Sequence, residues 1–254
     1  MDRRNWVNAM DVAVAAWTAR ELEERLEREA VGTAVVDCDG TLWSGDSGYG
    51  FMVWSMEQGL LSREASDWMD ARHRAYEAGA VSEEEICGEM AQVYAGLREA
   101  EVEKAAAEFV RRSVSGRHFA EMERVVAGLH GRGSAVWAVS STNRWVVEAG
   151  VAAFGIAAER VLAAAVTVRD GLLTSELIDV PTDEGKARAL RRVGVVEPDV
   201  VFGNSLHDLA MMEMARLAVP VNASPGLRRA AAERGWRVLT PAGAEASEEI
   251  VGRG

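Results

Sequence analysis

AVVDCDGTLW, residues 34–43, sets two aspartates two positions apart at the end of an apolar, β-branched run. With Thr33 in front, TAVVDCD (33–39) has the length and composition of a strand buried on both faces, as in a parallel sheet. Asp37 and Asp39 then stand where a strand leaves the core, and Gly40 and Thr41 turn the backbone just beyond. Two nearby carboxylates cannot both stay ionised cheaply. A divalent cation relieves them, since Mg²⁺ prefers oxygen ligands and takes one or two carboxylates together with substrate phosphate. Keeping one carboxyl protonated also relieves them, and a protonated carboxyl is a general acid. The plain alternative is a strand-end turn with solvated acids.

Outward from this stretch the pattern changes twice. Residues 46–115 read as helix rich in Met, Trp and Glu, with Ser82 and Glu85 at capping-box spacing. Strand and helix then alternate: FAEMERVVAGLHGRG is helical, SAVWAVSS a strand, NRWVVEAGVAAFG helical. VLAAAVTVRDGLLTSEL reads as a hairpin turned at Asp170-Gly171. DEGKARALRRVG, HDLAMMEMARL and PGLRRAAAERG read as helices between the strands DVVFGNS, AVPVNAS and WRVLT. This alternation predicts an α/β fold, a doubly wound (Rossmann-like) parallel sheet with a small helical cap inserted after the first strand. The expected division is a core of residues 1–42 and 116–254 and a cap of 43–115. The first thirty residues read as one amphipathic helix packed on the main body, too charged for a secretory signal.

Composition narrows the partners. Of 254 residues, 40 are acidic and 28 basic, giving a formal net charge of −12. Such a surface repels nucleic acid and anionic lipid, so neither is expected as a partner. No run approaches the roughly 20 apolar residues that span a bilayer. Two cysteines, Cys38 and Cys87, give no disulfide framework, which fits a reducing cytoplasm. Cys38 and Cys87 read as structural, and the four histidines have no metal-ligand spacing.

Ligands of open parallel sheets bind beyond the carboxyl ends of the strands, which gathers Asp37, Ser140 and Asn204 around one crevice. The Ser140–Ser141 pair, in VSSTN, can donate to a phosphate oxygen or simply cap a helix. Lys186 lies in the first turn of a helix, where a cation opposes the dipole, a position explained by a bound anion or by a plain surface lysine. Asn204 and Asp208, in GNSLHD, can offer oxygen to a metal or cap a helix start.

In this order (strand-DxDGT, strand-Ser, Lys near a helix start, strand-GNSxxD) the sequence resembles the haloacid dehalogenase-like (HAD) hydrolases, and within them the phosphoserine phosphatase-like branch. The resemblance runs from Thr33 to Trp236 and includes VNASPGLRRAAAERGW. It implies a Mg²⁺-dependent phosphomonoesterase of a small phosphorylated metabolite. Asp37 would be the nucleophile and Asp39 the proton donor and base. Thr41 would orient Asp39, and Ser140 and Lys186 would hold the phosphoryl oxygens. Asp37, the Asp39 carbonyl and the Asn204/Asp208 motif would bind Mg²⁺. An acid at Asp39 sets aside dehalogenase and phosphonate-cleaving relatives, and Cys38 replaces the lysine of the phosphorylating pumps. Asn204 departs from the family's usual aspartate and removes one charge from the metal site.

A phosphotransferase or phosphomutase using the same residues, and a non-catalytic regulatory protein keeping the fold, remain as alternatives. A homodimer is an open option. The cap would meet the rest of the substrate. Asp46 resembles the acid that phosphoserine phosphatases use on the substrate amine, or is a solvated loop acid. Trp43, Trp54, Trp68, Tyr49 and Tyr76 offer an aromatic box for a choline-like cation, or core. Arg72, His73, Arg74 and Arg144 are candidate anion binders.

Overall fold

The computed structural model describes residues 13–244. Ala16–Trp17 form a short strand (β1) and Ala19–Arg28 a helix (α1) that Thr18 and Glu21 start with a capping box. The single long helix expected over the first thirty residues is therefore corrected for residues 13–30, while residues 1–12 lie outside the described part. The backbone here finds a partner edge instead: Ala16 and Trp17 pair with Val238 and Leu239, and the Arg237 guanidinium lies 3.7 Å above the Trp17 ring. Tertiary pairing overrides helix propensity here. Leu22 and Leu26 bury one side of α1 against the body.

After β2 (Thr33–Val36) come four helices: α2 (Ser47–Glu57), α3 (Arg63–Glu77), α4 (Glu83–Gln92) and α5 (Glu99–Phe109). The alternation follows with α6 (Ala120–Gly131), β3 (Ala135–Asn143), α7 (Arg144–Val151), β4 (Val161–Arg169) and β5 (Leu172–Asp179). It closes with α8 (Glu184–Arg192), β6 (Val200–Gly203), α9 (Leu209–Met212), β7 (Leu217–Pro220), α10 (Pro225–Arg234) and β8 (Val238–Leu239). Six strands form one sheet in the order β5-β4-β3-β2-β6-β7. All neighbours are parallel except β4 and β5, the hairpin whose turn residues Asp170 and Gly171 both take positive φ.

The central strand shows why its sequence is continuously apolar. Ala34 and Val36 pack into one core cluster and Val35 into the other, so both faces are covered. The regular strand ends at Val36, three residues sooner than predicted, but Asp37 N still donates to Phe202 O at 3.0 Å. HDLAMMEMARL keeps only the four-residue α9, after a tight 3₁₀ turn at Leu206–Asp208.

The helical segment between β2 and α6 is fastened to the sheet twice. At its base, Phe119 N donates to Leu42 O (2.9 Å) and Ser44 N to Arg117 O (3.0 Å). Along its flank it meets the β4–β5 hairpin: Gly96 N to Leu173 O (2.8 Å), Leu173 N to Leu97 O (2.9 Å) and Glu99 N to Gly171 O (3.0 Å). Gln92 Nε2 adds a bond of 2.6 Å to Ser175 O.

Trp43, fully buried, presses its ring on α7 at Gly150, where an added Cβ would lie 2.8 Å from Trp43 Cη2. Gly150→Ala should gain up to about 1 kcal/mol in helix propensity but lose about 1–3 kcal/mol to overpacking. The flat ring has no solvent to withdraw into, so the loss wins. A urea titration should show a lower midpoint at an unchanged slope.

Candidate active site

The carboxyl ends of β2, β3 and β6 and the first turn of α8 converge on a cavity of about 230 Å³. Asp37, Asp39, Ser140, Ser141, Lys186 and Asn204 line its sheet side, and Asp46 lines its opposite wall. Asp37 and Lys186, 149 positions apart in sequence, thus meet around one space.

Lys186 holds the floor together. Its ammonium, 3 % exposed, donates to Asp37 Oδ1 at 2.7 Å and to Asp208 Oδ1 at 2.6 Å. Burial would lower the lysine's pKa, but Asp208 and Asp37 more than reverse this, so the group is held charged. Burial and then the charge of Asp208 push the Asp37 carboxyl up to about 7, against the pull of Lys186 and of Thr41. Two carboxyl groups share one ammonium.

Thr41 is corrected. Its hydroxyl donates to Asp37 Oδ2 at 2.8 Å, not to Asp39, and it is fully buried behind the cavity wall. The tight turn that follows Asp37, with Thr41 N bonded to Cys38 O, folds the hydroxyl back onto the first aspartate. Asp39 is held by three other donors. Trp43 Nε1 and Ser47 N reach Oδ1, each at 2.7 Å, and Thr142 Oγ1 reaches Oδ2 at 2.8 Å.

Asp208 is corrected as a metal ligand. It is fully buried, with Oδ1 on Lys186 and Oδ2 accepting from Asn204 N (2.8 Å) and Ser205 N (3.0 Å). It does not line the cavity, and its oxygens shape the 204–208 turn and hold the lysine. Three other oxygens fit a hard cation: the Asp37 carboxylate, the Asn204 amide, and the Asp39 carbonyl, which accepts no hydrogen bond among the described residues. No cluster of three His, Cys, Asp or Glu side chains fit for a metal occurs among the described residues. The fit rests on one carboxylate with neutral oxygens, at the low end of what Mg²⁺ uses. Gly40 makes this approach feasible. Its φ is +75°, and a Cβ there would lie 1.9 Å from Asn204 Nδ2.

Ser140, 2 % exposed, accepts from Thr142 N at 3.2 Å, and Asn143 instead caps α7. Asp46 caps α2 through Tyr49 N (2.9 Å) at the rim. Although Asp46 is exposed at the rim, nearby protein pushes its carboxyl up, and the charges of Asp39 and Glu83 add to the rise. Arg144 is corrected: it forms an ion pair with Glu99 and does not line the cavity. Arg72 is likewise bound by Glu89 at 2.7 Å.

The aromatic box is also corrected. Trp43 is in the core, Trp54 stacks on Phe51, Trp68 is on the surface, and Tyr49 stacks on His73 with ring centroids 4.0 Å apart. Only Tyr76 of that group lines the cavity.

Glu83, Cys87 and Thr142 were missed as wall residues, whereas His207, between Ser205 and Asp208, was expected near the site. Glu83 reads as part of an acidic helix start, and Cys87, expected to be only structural, places Sγ 3.6 Å from Glu83 Oε1. Burial pushes that thiol well above its usual range. His207 bonds Asp183 at 2.9 Å. The signal for Thr142 was its place two residues after Ser140.

A family model described as haloacid dehalogenase-like hydrolase matches residues 34–213. A probable phosphatase of Mycobacterium tuberculosis is 29% identical over 215 residues, covering 82% of this chain and 74% of its own. The crystal structure of a protein of unknown function from Bordetella pertussis superposes with a TM-score of 0.72 at 24% identity, covering 82% of this chain and 97% of that one. A substrate-bound phosphoserine phosphatase superposes at 0.55 and 18% identity, covering 83% and 92%. These two structures share the fold.

Lys186→Met leaves two buried carboxyl groups facing each other. A carboxyl raised in the folded state adds stability below its unfolded value near 3.9 and loses it as pH climbs through the folded value. Removing Lys186 takes away a lowering influence on Asp37 and so widens that window upward. Urea titrations in EDTA should show the variant roughly 3–5 kcal/mol less stable than wild type at pH 8, with a smaller deficit at pH 5.

Proposed function

The chain belongs to the haloacid dehalogenase-like hydrolases, and we propose that it is a Mg²⁺-dependent phosphomonoesterase acting through an aspartyl-phosphate on Asp37. The carrying observation is the buried ammonium of Lys186, 2.7 Å from the Asp37 carboxylate at the cavity floor. An attacking carboxylate, a fixed cation and a hydroxyl at one point are what phosphoryl transfer requires, since positioning and charge neutralisation dominate its catalysis. The probable phosphatase among the relatives supports the same reading.

Thr41 and Lys186 each hold one oxygen of Asp37, which fixes the carboxylate for attack. In the first step a carboxylate oxygen of Asp37 bonds to phosphorus as the bond to the leaving oxygen breaks. The electron pair stays on that oxygen, which takes the proton of the Asp39 carboxyl and departs as an alcohol. In the second step water attacks the same phosphorus, gives its proton to Asp39, and frees the Asp37 carboxylate and inorganic phosphate. The Thr142 hydroxyl can donate to Asp39 or accept from it, so it holds the carboxyl in both states.

Ser140 and Lys186 meet the phosphoryl oxygens. Asp37, the Asp39 carbonyl and Asn204 would hold Mg²⁺, whose charge neutralises the phosphoryl group. Residues 43–115 would act as a cap that keeps bulk water from the phosphoenzyme. Both cysteines are free and buried, which agrees with work in the cytoplasm. Among the described residues no helix is long and apolar enough to cross a membrane.

The test is phosphate release from a generic aryl phosphate. Activity should need Mg²⁺, vanish with EDTA, and fall roughly a thousandfold or more in Asp37→Asn. Thr142→Val should lower kcat roughly ten- to a hundredfold with little change in KM, because it loosens the proton carrier. No release under any metal would refute the reading. Activity that rises only with an added acceptor alcohol would make the protein a phosphotransferase.

A further inference from the structure

We propose that the leaving group is a small alcohol bearing a protonated primary amine and no carboxylate, held on α4 by Glu83 with help from Asp46. This deepens the phosphomonoesterase reading and rests on it.

The floor fixes where phosphorus sits, so the leaving group must extend toward the wall made by α2, α3 and α4. There Glu83 is aimed by its neighbours. Tyr76 Oη donates to its Oε2, and Ser141 Oγ lies 3.5 Å from Oε1. Asp46 faces the same space from the rim. Of the cavity-lining groups, Asp37, Asp39, Asp46 and Glu83 are acidic, and Lys186 is the lysine or arginine among them. That lysine is already divided between Asp37 and Asp208. Two wall carboxylates in an enclosed space without a cation repel each other. A ligand ammonium, with three N–H donors for their oxygens, relieves this.

The same wall argues against the two nearest chemical relatives. No lysine or arginine other than Lys186 lines the cavity to meet an α-carboxylate. Arg72 pairs with Glu89 and Arg144 with Glu99, while Arg117 lies across Gly45 on a neighbouring surface groove. A carboxylate on the substrate would instead meet Glu83 and Asp46. A quaternary ammonium has no N–H to donate and is recognised by aromatic faces. Of the ring side chains, Tyr76, His73 and His207 reach this cavity, and Tyr76 spends its hydroxyl on Glu83. The volume, about 230 Å³, falls below the roughly 300–1,000 Å³ of pockets for drug-sized ligands, which favours a small leaving group.

The experiment compares kcat/KM for 2-aminoethyl phosphate, 3-aminopropyl phosphate, 2-hydroxyethyl phosphate, O-phosphoserine, phosphocholine and an aryl phosphate with the intact protein and Mg²⁺. At least one primary-amine substrate should exceed the hydroxyethyl, phosphoserine and phosphocholine esters by tenfold or more. Glu83→Gln should pull the amine-to-hydroxyl ratio toward one, mainly through KM. Asp46→Asn serves if the first variant fails to fold. Aryl phosphate hydrolysis with equal or better use of phosphoserine, phosphocholine or the hydroxyl ester overturns this inference and leaves the hydrolase standing. An unchanged ratio in a folded Glu83→Gln also overturns it. No release from any substrate overturns both.

Discussion

A single ammonium, that of Lys186, stands between the carboxylates of Asp37 and Asp208 with almost no exposure to water. Burying three ionisable groups is costly unless geometry and hydrogen bonds are both good. Here Thr41 satisfies one acid and the amides of Asn204 and Ser205 the other, so the cluster is closed on every side but the cavity. The arrangement explains the position of Lys186 in the first turn of α8, where a cation opposes the helix dipole. It also ties three separate strand ends to one point, because β2 delivers Asp37, β6 delivers Asp208, and Lys186 additionally reaches Val139 O of β3 at 3.5 Å. The fold positions the cluster, and the cluster in turn fixes the ends of the sheet.

The sheet was legible because burial on both faces leaves a plain mark, a continuous apolar run such as TAVV or VVFG. The hairpin was legible because Asp170-Gly171 is chemistry that only a tight turn requires. Asp37, Lys186 and Ser140 could be picked out by their places at strand ends and a helix start. The roles of Thr41 and Asp208 could not, since which of two carboxylates a hydroxyl reaches depends on a turn of a few ångströms. Contacts such as Thr142 to Asp39, 103 residues apart, leave no local trace. Glu83 was hidden for a different reason: acids in the first turn of a helix are favourable there anyway, so nothing marks one that also faces a cavity. The strand β1 was hidden because its partner, β8, lies some 220 residues away.

The two walls of the cavity divide their chemistry by origin. The core contributes Asp37, Asp39, a lysine and hydroxyls around the floor, and the inserted helices add Glu83, Tyr76 and His73. Asp39 joins them, since Trp43 and the Ser47 amide belong to the insertion while Thr142 belongs to β3. The Asp39 carboxylate thus depends on both parts keeping their relative position.

That dependence gives weight to the bonds between residues 96–99 and the hairpin tip at 171–173. A flap attached only at its root can rotate about it, whereas one stitched along its margin as well cannot rotate without leaving several amides bare, at about 1–3 kcal/mol for each one left unpaired. Traffic in and out of the chamber therefore falls to side chains at the entrance. With its margin held, the opening beside Asp46 keeps one shape.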